Sequence, residues 1–366
     1  MLWTIRHVWP AGARFVFNCY KFQSLLLVRD PGGMNFFILF SREGVTQGDP
    51  LSMFCYAIGT LPLIRQLKKH RPEPHQSWYA DDASAIGKFE DLHLLFKDLA
   101  TFGSSYGYLP NSSKSILVVP EYRVERVKHY FNTVHGYNFS IQTGARYLGG
   151  FIGSDNLRDE YISSKVTDWV YGVEKLAMVA TKNQSHAAYT GFTKSFQHEW
   201  TYFQRTIGGI AHLFSDLEAS IRTKFLPALL DEPVVDDTLR SLLGLRVKSS
   251  GAGIPDPAST CSGNFEQSQV SCSMLIPGIQ GKSTFLLADH EKSMRATRNA
   301  HVSRRNAEHD SQLSTLLKSL PDDENGKNYR RRIILRGGDT GIWLSTVPNS
   351  SNGNILLGDQ EFTDAF

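Results

Sequence analysis

The sequence predicts an α+β fold: an antiparallel sheet backed by helices, followed by a helical region and an irregular tail. Two observations carry this. Over roughly the first 150 residues, short aromatic and aliphatic runs bounded by turn residues alternate with stretches whose apolar residues recur every three or four positions. Those are the periodicities of strands and of one-faced helices. From Asp155 to about Leu230 only the helical spacing persists, and residues 248–284 then shift to Ser, Gly and Pro. The expected divisions are therefore 1–153, 154–247, a connection at 248–288 and a tail at 289–366.

Arg14–Tyr20, Ser24–Val28 and Phe36–Phe40 read as strands, with Asp30-Pro31-Gly32-Gly33 supplying turn chemistry. After Gly48-Asp49-Pro50, the spacing of Leu51, Phe54, Ile58, Leu61 and Ile64 predicts a helix with one apolar face, ended by Pro72 and Pro74. The basic run Arg65–Arg71 fits the exposed C-terminal end of that helix, where cations meet the negative pole of the dipole. Ser77–Tyr79 and Ala83–Ile86 form two short strands around Ala80-Asp81-Asp82. Helical spacing returns at Asp91–Phe102, and Ser115–Val119 and Tyr147–Ile152 read as further strands. Trp169, Val173, Leu176 and Val179 share a helical face. Asp289–Leu320 is charged and helical in character, and 321–366 reads as loops with a short amphipathic piece.

A chain of 366 residues is long enough to bury a sizeable core. No stretch approaches the roughly 18 apolar residues of a membrane span, and the opening Met1–Arg6 lacks the pattern of a secretory leader. Four widely spaced cysteines (Cys19, Cys55, Cys261, Cys272) fit reduced thiols rather than a disulfide frame. The expectation is an intracellular protein, nuclear or cytoplasmic, with no membrane partner. A net charge of +3 neither requires nor excludes a nucleic-acid partner, because binding depends on local potential.

Two segments carry chemistry. In Tyr79-Ala80-Asp81-Asp82, adjacent carboxylates repel unless something cationic neutralises them. A divalent metal does this well, and hard carboxylate oxygens suit magnesium. Solvation of an Asp-Asp turn is the simpler explanation of the pair alone. Upstream lies Gly44-Val45-Thr46-Gln47-Gly48-Asp49-Pro50-Leu51-Ser52. Its glycines permit close backbone approach, and Gln47 offers a donor and an acceptor to a base or nucleotide. Asp49, Pro50 and Ser52 fit a capped helix start.

Together these segments resemble the second and third palm motifs of reverse transcriptases. Gly107-Tyr108-Leu109-Pro110-Asn111 with Lys114 is similar to the fourth, and Tyr147-Leu148-Gly149-Gly150 to the primer-grip element. Ile254-Pro255-Asp256-Pro257 and Trp343–Pro348 extend a looser similarity to the open reading frames of non-long-terminal-repeat retroelements. The resemblance implies a partial right-hand polymerase palm (an antiparallel sheet backed by helices) over 1–153, and an α-helical thumb after it. It implies RNA-directed DNA synthesis by two-metal nucleotidyl transfer. Asp81 and Asp82 would bind Mg2+, and Lys114 would contact the triphosphate or protonate pyrophosphate, although an ordinary exposed lysine explains it equally well. Gln47, Gly48 and Tyr79 would shape the nucleotide and template pocket. Tyr147, Leu148, Gly149 and Gly150 would hold the primer. Partners implied are an RNA template, a DNA primer, the RNA–DNA hybrid and deoxynucleoside triphosphates, with Lys165, Lys175, Lys182 and Arg205 following the hybrid backbone.

The family places a further catalytic aspartate and the fingers before these motifs. Here the one aspartate before the second motif is Asp30, in a Pro-Gly-Gly turn. The expectation is a fragment with little or no polymerisation of its own; the alternative is a non-catalytic nucleic-acid-binding remnant or translated relic. Gly278–Ser283 lacks the first glycine of a P-loop, and His198-Glu199 lacks the second histidine of a zinc protease.

Overall fold

A computed structural model describes residues 1–33, 35–42, 45, 48–79, 82–182, 184–337, 341, 344 and 361–362. Its α-helices and small antiparallel strand pairs make the fold class α+β. Two compact units are formed, one from residues 1–117 and 122–141, the other from 118–121 and 142–366. The second unit thus takes in 142–153, which sequence reading grouped with the first.

In the first unit, α1 (Leu2–Val8) is followed by α2 (Pro10–Tyr20). Pro10 opens α2, where its missing N–H is no loss. Ile5 and Val16 pack on Cys55 and Ile58. The strand expected over Arg14–Tyr20 is therefore a correction. The buried residues of α2, Gly12 and Val16, stand four apart, while Phe15 and Phe17 point outward, so helical packing overrides their β propensity. Strands β1 (Ser24–Arg29) and β2 (Phe36–Ser41) pair from Ser24↔Ser41 to Arg29↔Phe36. Gly33 N donates to Asp30 O (2.9 Å) in their connecting turn. Eight large apolar side chains here (Leu25, Leu27, Val28 and Phe36–Phe40) stay 43–64% exposed, so this pair adds nothing to the core.

The helix α3 (Ser52–His70) ends as expected before Pro72, with Lys68, Lys69 and His70 exposed in its last turn. Its buried side is displaced from the expected face. Cys55, Ile58, Leu63 and Leu67 are buried, whereas Phe54 is 43% exposed and meets Trp9 edge-on. Then come β3 (His75–Tyr79), β4 (Asp82–Ile86) and α4 (Phe89–Gly103). Leu63 and Leu67 of α3 join Leu95 and Leu99 of α4, with Trp78, Phe102 and Tyr108 against them. Short elements β5 (Ile116–Val118), α5 (Val124–Lys128) and β6 (Ser140–Gln142) follow.

An aromatic cluster closes this unit. Phe89, His93 and Phe96 of α4 face Tyr130, Phe131, Tyr137 and Phe139, and the His93 ring stacks on His135 at 3.9 Å. Burial, then His135 and Lys97, hold the His93 pKa below its ordinary value. Burial does the same, most strongly of several causes, to His301 and His309 in the second unit. Each of these groups binds its proton more weakly folded than unfolded. Their contribution is intact above the ordinary histidine value, about 6.5, and is lost as pH falls below it. Asp49 and Asp310 are shifted down from the carboxylate range and act in a separate, more acid window. The unfolding midpoint in urea should therefore drop between pH about 7.5 and 5.5, with His93→Gln reducing the drop. A midpoint that rises or stays level over that interval contradicts this.

The second unit opens with β7 (Gly144–Tyr147) and β8 (Gly150–Gly153), then α6 (Asp155–Ala180). The single strand expected over Tyr147–Ile152 is instead this hairpin: Leu148 (φ 47°) and Gly149 (φ 80°) turn the chain back. Helices α7 (Ser185–Lys194), α9 (Ser215–Ser220) and α10 (Leu226–Leu230) pack on α6, α8 (Glu199–Thr206) meets it through Trp200 and Phe203, and α11 (Asp237–Gly244) is joined to α9. The core contains Ile162, Val166, Trp169, Val173, Ala177 and Ala180 of α6, with Phe192, Phe214 and Phe225. Toward the end of α6 the small Ala177 and Ala180 are buried, and Leu176 and Val179 beside them are partly buried.

Residues 248–288, expected as a connection, carry α12 (Pro257–Cys272) and α13 (Leu275–Ile279). Asp256 caps α12 through Ala258 N (2.8 Å), and α12 packs on α8. Buried Gln204 of α8 bonds Pro257 O (2.7 Å) and Asn264 (2.7 Å). Small residues here permit close packing rather than flexibility. Helices α14 (Leu287–Ser319) and α15 (Glu324–Arg336) follow, the latter within the expected loops. The expected single antiparallel sheet is also corrected. Among the described residues the strands form separate two-stranded sheets, because strands of three to six residues find their hydrogen bonds within each pair. Among those residues no helix is long and apolar enough to cross a membrane.

Candidate functional site

The Tyr-Ala-Asp-Asp segment lies where β3 meets β4. Pairing runs from His75↔Ile86 to Tyr79↔Asp82, so two residues, Ala80 and Asp81, separate the last paired positions. Asp81 and Gln47 lie outside the described residues. Asp82 is exposed and carries no ion pair or side-chain hydrogen bond among the described residues. Tyr79 opposite it is 59% exposed, leaving its ring open to a flat partner.

The segment before α3 is held at Asp49. Tyr20 of α2 donates to its Oδ2 (2.5 Å), and Leu51 N donates to its Oδ1 (2.8 Å). Among the described residues α3 itself starts without the side-chain cap the sequence suggested, and the carboxylate instead holds the N–H of Leu51, the N-cap residue, in a local turn. Its hydrogen bond from Tyr20 lowers its pKa, while burial and then that bond push the Tyr20 phenol up. Tyr20 was not foreseen, since it stands 29 residues away with no local signal. Gly48 adopts φ 89°, and among the described residues nothing lies within 4 Å of where a Cβ would sit, so the chain beside Asp49 is open there.

The fourth-motif segment packs beside β3. The Tyr108 ring meets Trp78, the neighbour of Tyr79, edge-on at 5.4 Å. Tyr108 O lies 2.4 Å from where a Cβ on Gly103 would stand, so only glycine lets this loop close onto α4. Asn111 Oδ1 accepts from Ser113 N (3.0 Å) and caps a single 3-10 turn ending in Lys114. Lys114 is exposed and without an ion pair among the described residues. Within the first unit, contacts thus tie the second-motif loop to α2 and the fourth-motif loop to the strand bearing Tyr79.

Tyr147–Gly150 forms the tip of the β7–β8 hairpin in the second unit. Positive φ at both Leu148 and Gly149 makes the mirror-image turn that suits a tight hairpin. Tyr202 of α8, a second unforeseen residue, donates to Leu148 O (2.6 Å) and lies 3.0 Å from a Cβ placed on Gly149. Of the cations expected to follow a nucleic-acid backbone, Lys165 pairs with Asp168 (3.0 Å) and Lys175 rests on the Tyr171 ring (4.2 Å). Lys182 and Arg205 are exposed and unpaired among the described residues.

The other sequence features have structural roles. Glu199 accepts from Trp169 Nε1 (3.1 Å). The Cys261 thiol is buried, pushed up to about 12 by that burial, and donates to Pro257 O. All four cysteines are free thiols. Among the described residues no cluster of three or more His, Cys, Asp or Glu could hold a metal ion. No family model, curated protein or solved structure matches the chain.

Proposed function

We propose that the chain carries the second to fourth palm motifs and the primer-grip element of an RNA-directed DNA polymerase of a non-long-terminal-repeat retroelement. The observation that supports this most is the antiparallel hairpin ending in Tyr79↔Asp82, which makes Tyr-Ala-Asp-Asp the strand connection. The end of this hairpin leaves Asp82 exposed, as a metal held between protein and a primer terminus requires. Asp82 fits magnesium by donor type and by its exposure, with Asp81 as its partner in the proposal. Magnesium, when bound, would activate the primer hydroxyl and stabilise the leaving oxygen. Tyr79 would stack on a base or sugar, and the open space beside Gly48 would admit the incoming nucleotide. Lys114 would contact its phosphates. The Leu148–Gly149 turn, braced by Tyr202, would bear on the primer strand.

A second reading, a nucleic-acid binder without catalysis, is favoured by the place of Asp30. Its backbone and side chain serve the β1–β2 turn, the carboxylate accepting from Asn35 Nδ2 (3.2 Å). Asp30 is thereby spent on the turn and supplies no third carboxylate.

Manganese binding followed by electron paramagnetic resonance tests the metal site. One weak site should appear and vanish in Asp81→Asn/Asp82→Asn; identical titrations for the two proteins would remove the polymerase reading. With two carboxylates, primer extension on RNA should lie at least about a hundredfold below a complete polymerase. Robust templated synthesis would overturn that expectation. Hybrid binding without the manganese site would favour the second reading.

A further inference from the structure

Between Lys292 and Arg305, α14 holds five cations (Lys292, Arg295, Arg298, Arg304, Arg305) and no carboxylate, more positive charge than the whole chain's net +3. At 3.6 residues per turn, Lys292, Arg295, Arg298 and Arg305 fall along one side of the helix. The half-buried Ser293, Thr297 and His301 fall on the other. Arg304 belongs to that second side, reaching Glu266 of α12 at 3.7 Å, and α12 packs against α14. The four-cation stripe therefore faces away from the protein.

Among the described residues Lys292, Arg298 and Arg305 have no ion pair. Arg295 has Glu291, at 3.3 Å, with 79% of the arginine side chain and 53% of the glutamate exposed. Exposed like charges on one helix face repel one another, which leaves them poised for an anionic partner. The positive region continues beyond α14. Burial, then Arg305 and Arg304, lower the His301 pKa, and Arg205 of α8 adds to that effect.

We propose that this face of α14 is a docking surface for the phosphate backbone of a nucleic-acid duplex. The choice of nucleic acid rests on the polymerase reading; the stripe itself does not. Three of its four cations are arginines, whose planar fork matches phosphate oxygens in pairs. Its length, about 20 Å from Lys292 to Arg305, spans roughly six base pairs of one strand. The opposite side of the helix is packed on protein, so α14 has no apolar face to lay into a lipid surface. Met294 and Val302, 37% and 40% exposed, are the two large apolar side chains between Lys292 and Arg305, too few to form an apolar face. Contacts of this kind read duplex shape and charge, not base sequence.

The test is fluorescence anisotropy of the full chain with a labelled RNA–DNA hybrid over about 50–200 mM salt. Arg295→Gln/Arg298→Gln/Arg305→Gln should weaken binding at least about tenfold and flatten the slope of log K against log salt by about 2–3. Its unfolding midpoint and manganese titration should match those of the unaltered chain. A charge-matched variant of exposed cations in the first unit, Arg6→Gln/Arg65→Gln/Lys69→Gln, should bind as the unaltered chain does. An unchanged affinity and slope in the α14 variant overturns the proposal, as does equal weakening in the charge-matched one. Loss of binding to phosphatidylserine vesicles with hybrid binding intact reassigns the surface to membrane and also overturns it. A missing manganese site with hybrid binding still dependent on α14 removes the polymerase reading and leaves this surface standing.

Discussion

Arg240→Ala should destabilise the second unit by about 3–5 kcal/mol, the loss typical of breaking a buried ion pair from one side. Arg240 is 8% exposed. Its guanidinium makes two parallel bonds to Glu218 (Nε to Oε1, 2.6 Å; Nη2 to Oε2, 2.7 Å) and a third to Ile254 O (2.8 Å). These join α11 to α9 and to the chain entering α12. Truncation would leave the Glu218 carboxylate, whose side chain is 21% exposed, without its counter-charge, and the Ile254 carbonyl without a donor. The desolvation of those groups, more than the loss of attraction, sets the cost. The double variant Arg240→Met/Glu218→Met should therefore recover much of it. Urea unfolding of both variants is the measurement. A loss under about 1 kcal/mol for Arg240→Ala, the range of an exposed pair, would show that the charges are effectively solvated.

Trp169→Ala should cost a similar amount, about 3–5 kcal/mol, by a different route. The indole is 3% exposed at the middle of α6. It stacks on Phe214 (interplanar 12°), and Trp200 and Phe203 meet it edge-on. Removal would leave a cavity between α6 and α8 and would also take the donor from Glu199. Trp169→Phe should fall between: the core keeps most of its volume, and the hydrogen bond alone contributes about 1 kcal/mol. Equal destabilisation by Phe and Ala would mean that the bond to Glu199, not packing, is what Trp169 supplies. Calorimetric unfolding separates these outcomes.

Elements with a strong local period were legible in the sequence. Helices α3 and α4 were expected within a few residues of their ends, as were the start of α6 at Asp155 and the two strands flanking Ala80-Asp81. A local role for Asp49 at the start of α3 was also legible, although its carboxylate holds the N–H of the N-cap residue Leu51 and not one inside the helix. Which side of a helix faces inward was less so. Ile58 of α3 and Trp169 and Val173 of α6 are buried as expected, while Phe54, Leu176 and Val179 each stand one position before the buried Cys55, Ala177 and Ala180. Large apolar side chains mark an approximate face, while the neighbouring elements select the exact one. Composition misled at α12, where Ser, Gly and Pro suggested a linker and the segment instead packs closely on α8.

The candidate site divides in the same way. The order of the resembling motifs and the carboxylates proposed to hold a metal rest on residue types at short spacings, which one stretch of chain displays; the turn at Leu148-Gly149 was read as part of a strand. Sequence by itself determined the α+β class, the hairpin around Ala80-Asp81 and the local charge of α14. Tertiary structure alone decided that Tyr20 grips Asp49, that Tyr202 braces Leu148 across 54 residues, and that the cations of α14 face outward while Arg304 turns to Glu266. A hydrogen bond or packed face between distant segments depends on where the whole chain folds, and no local period encodes that distance.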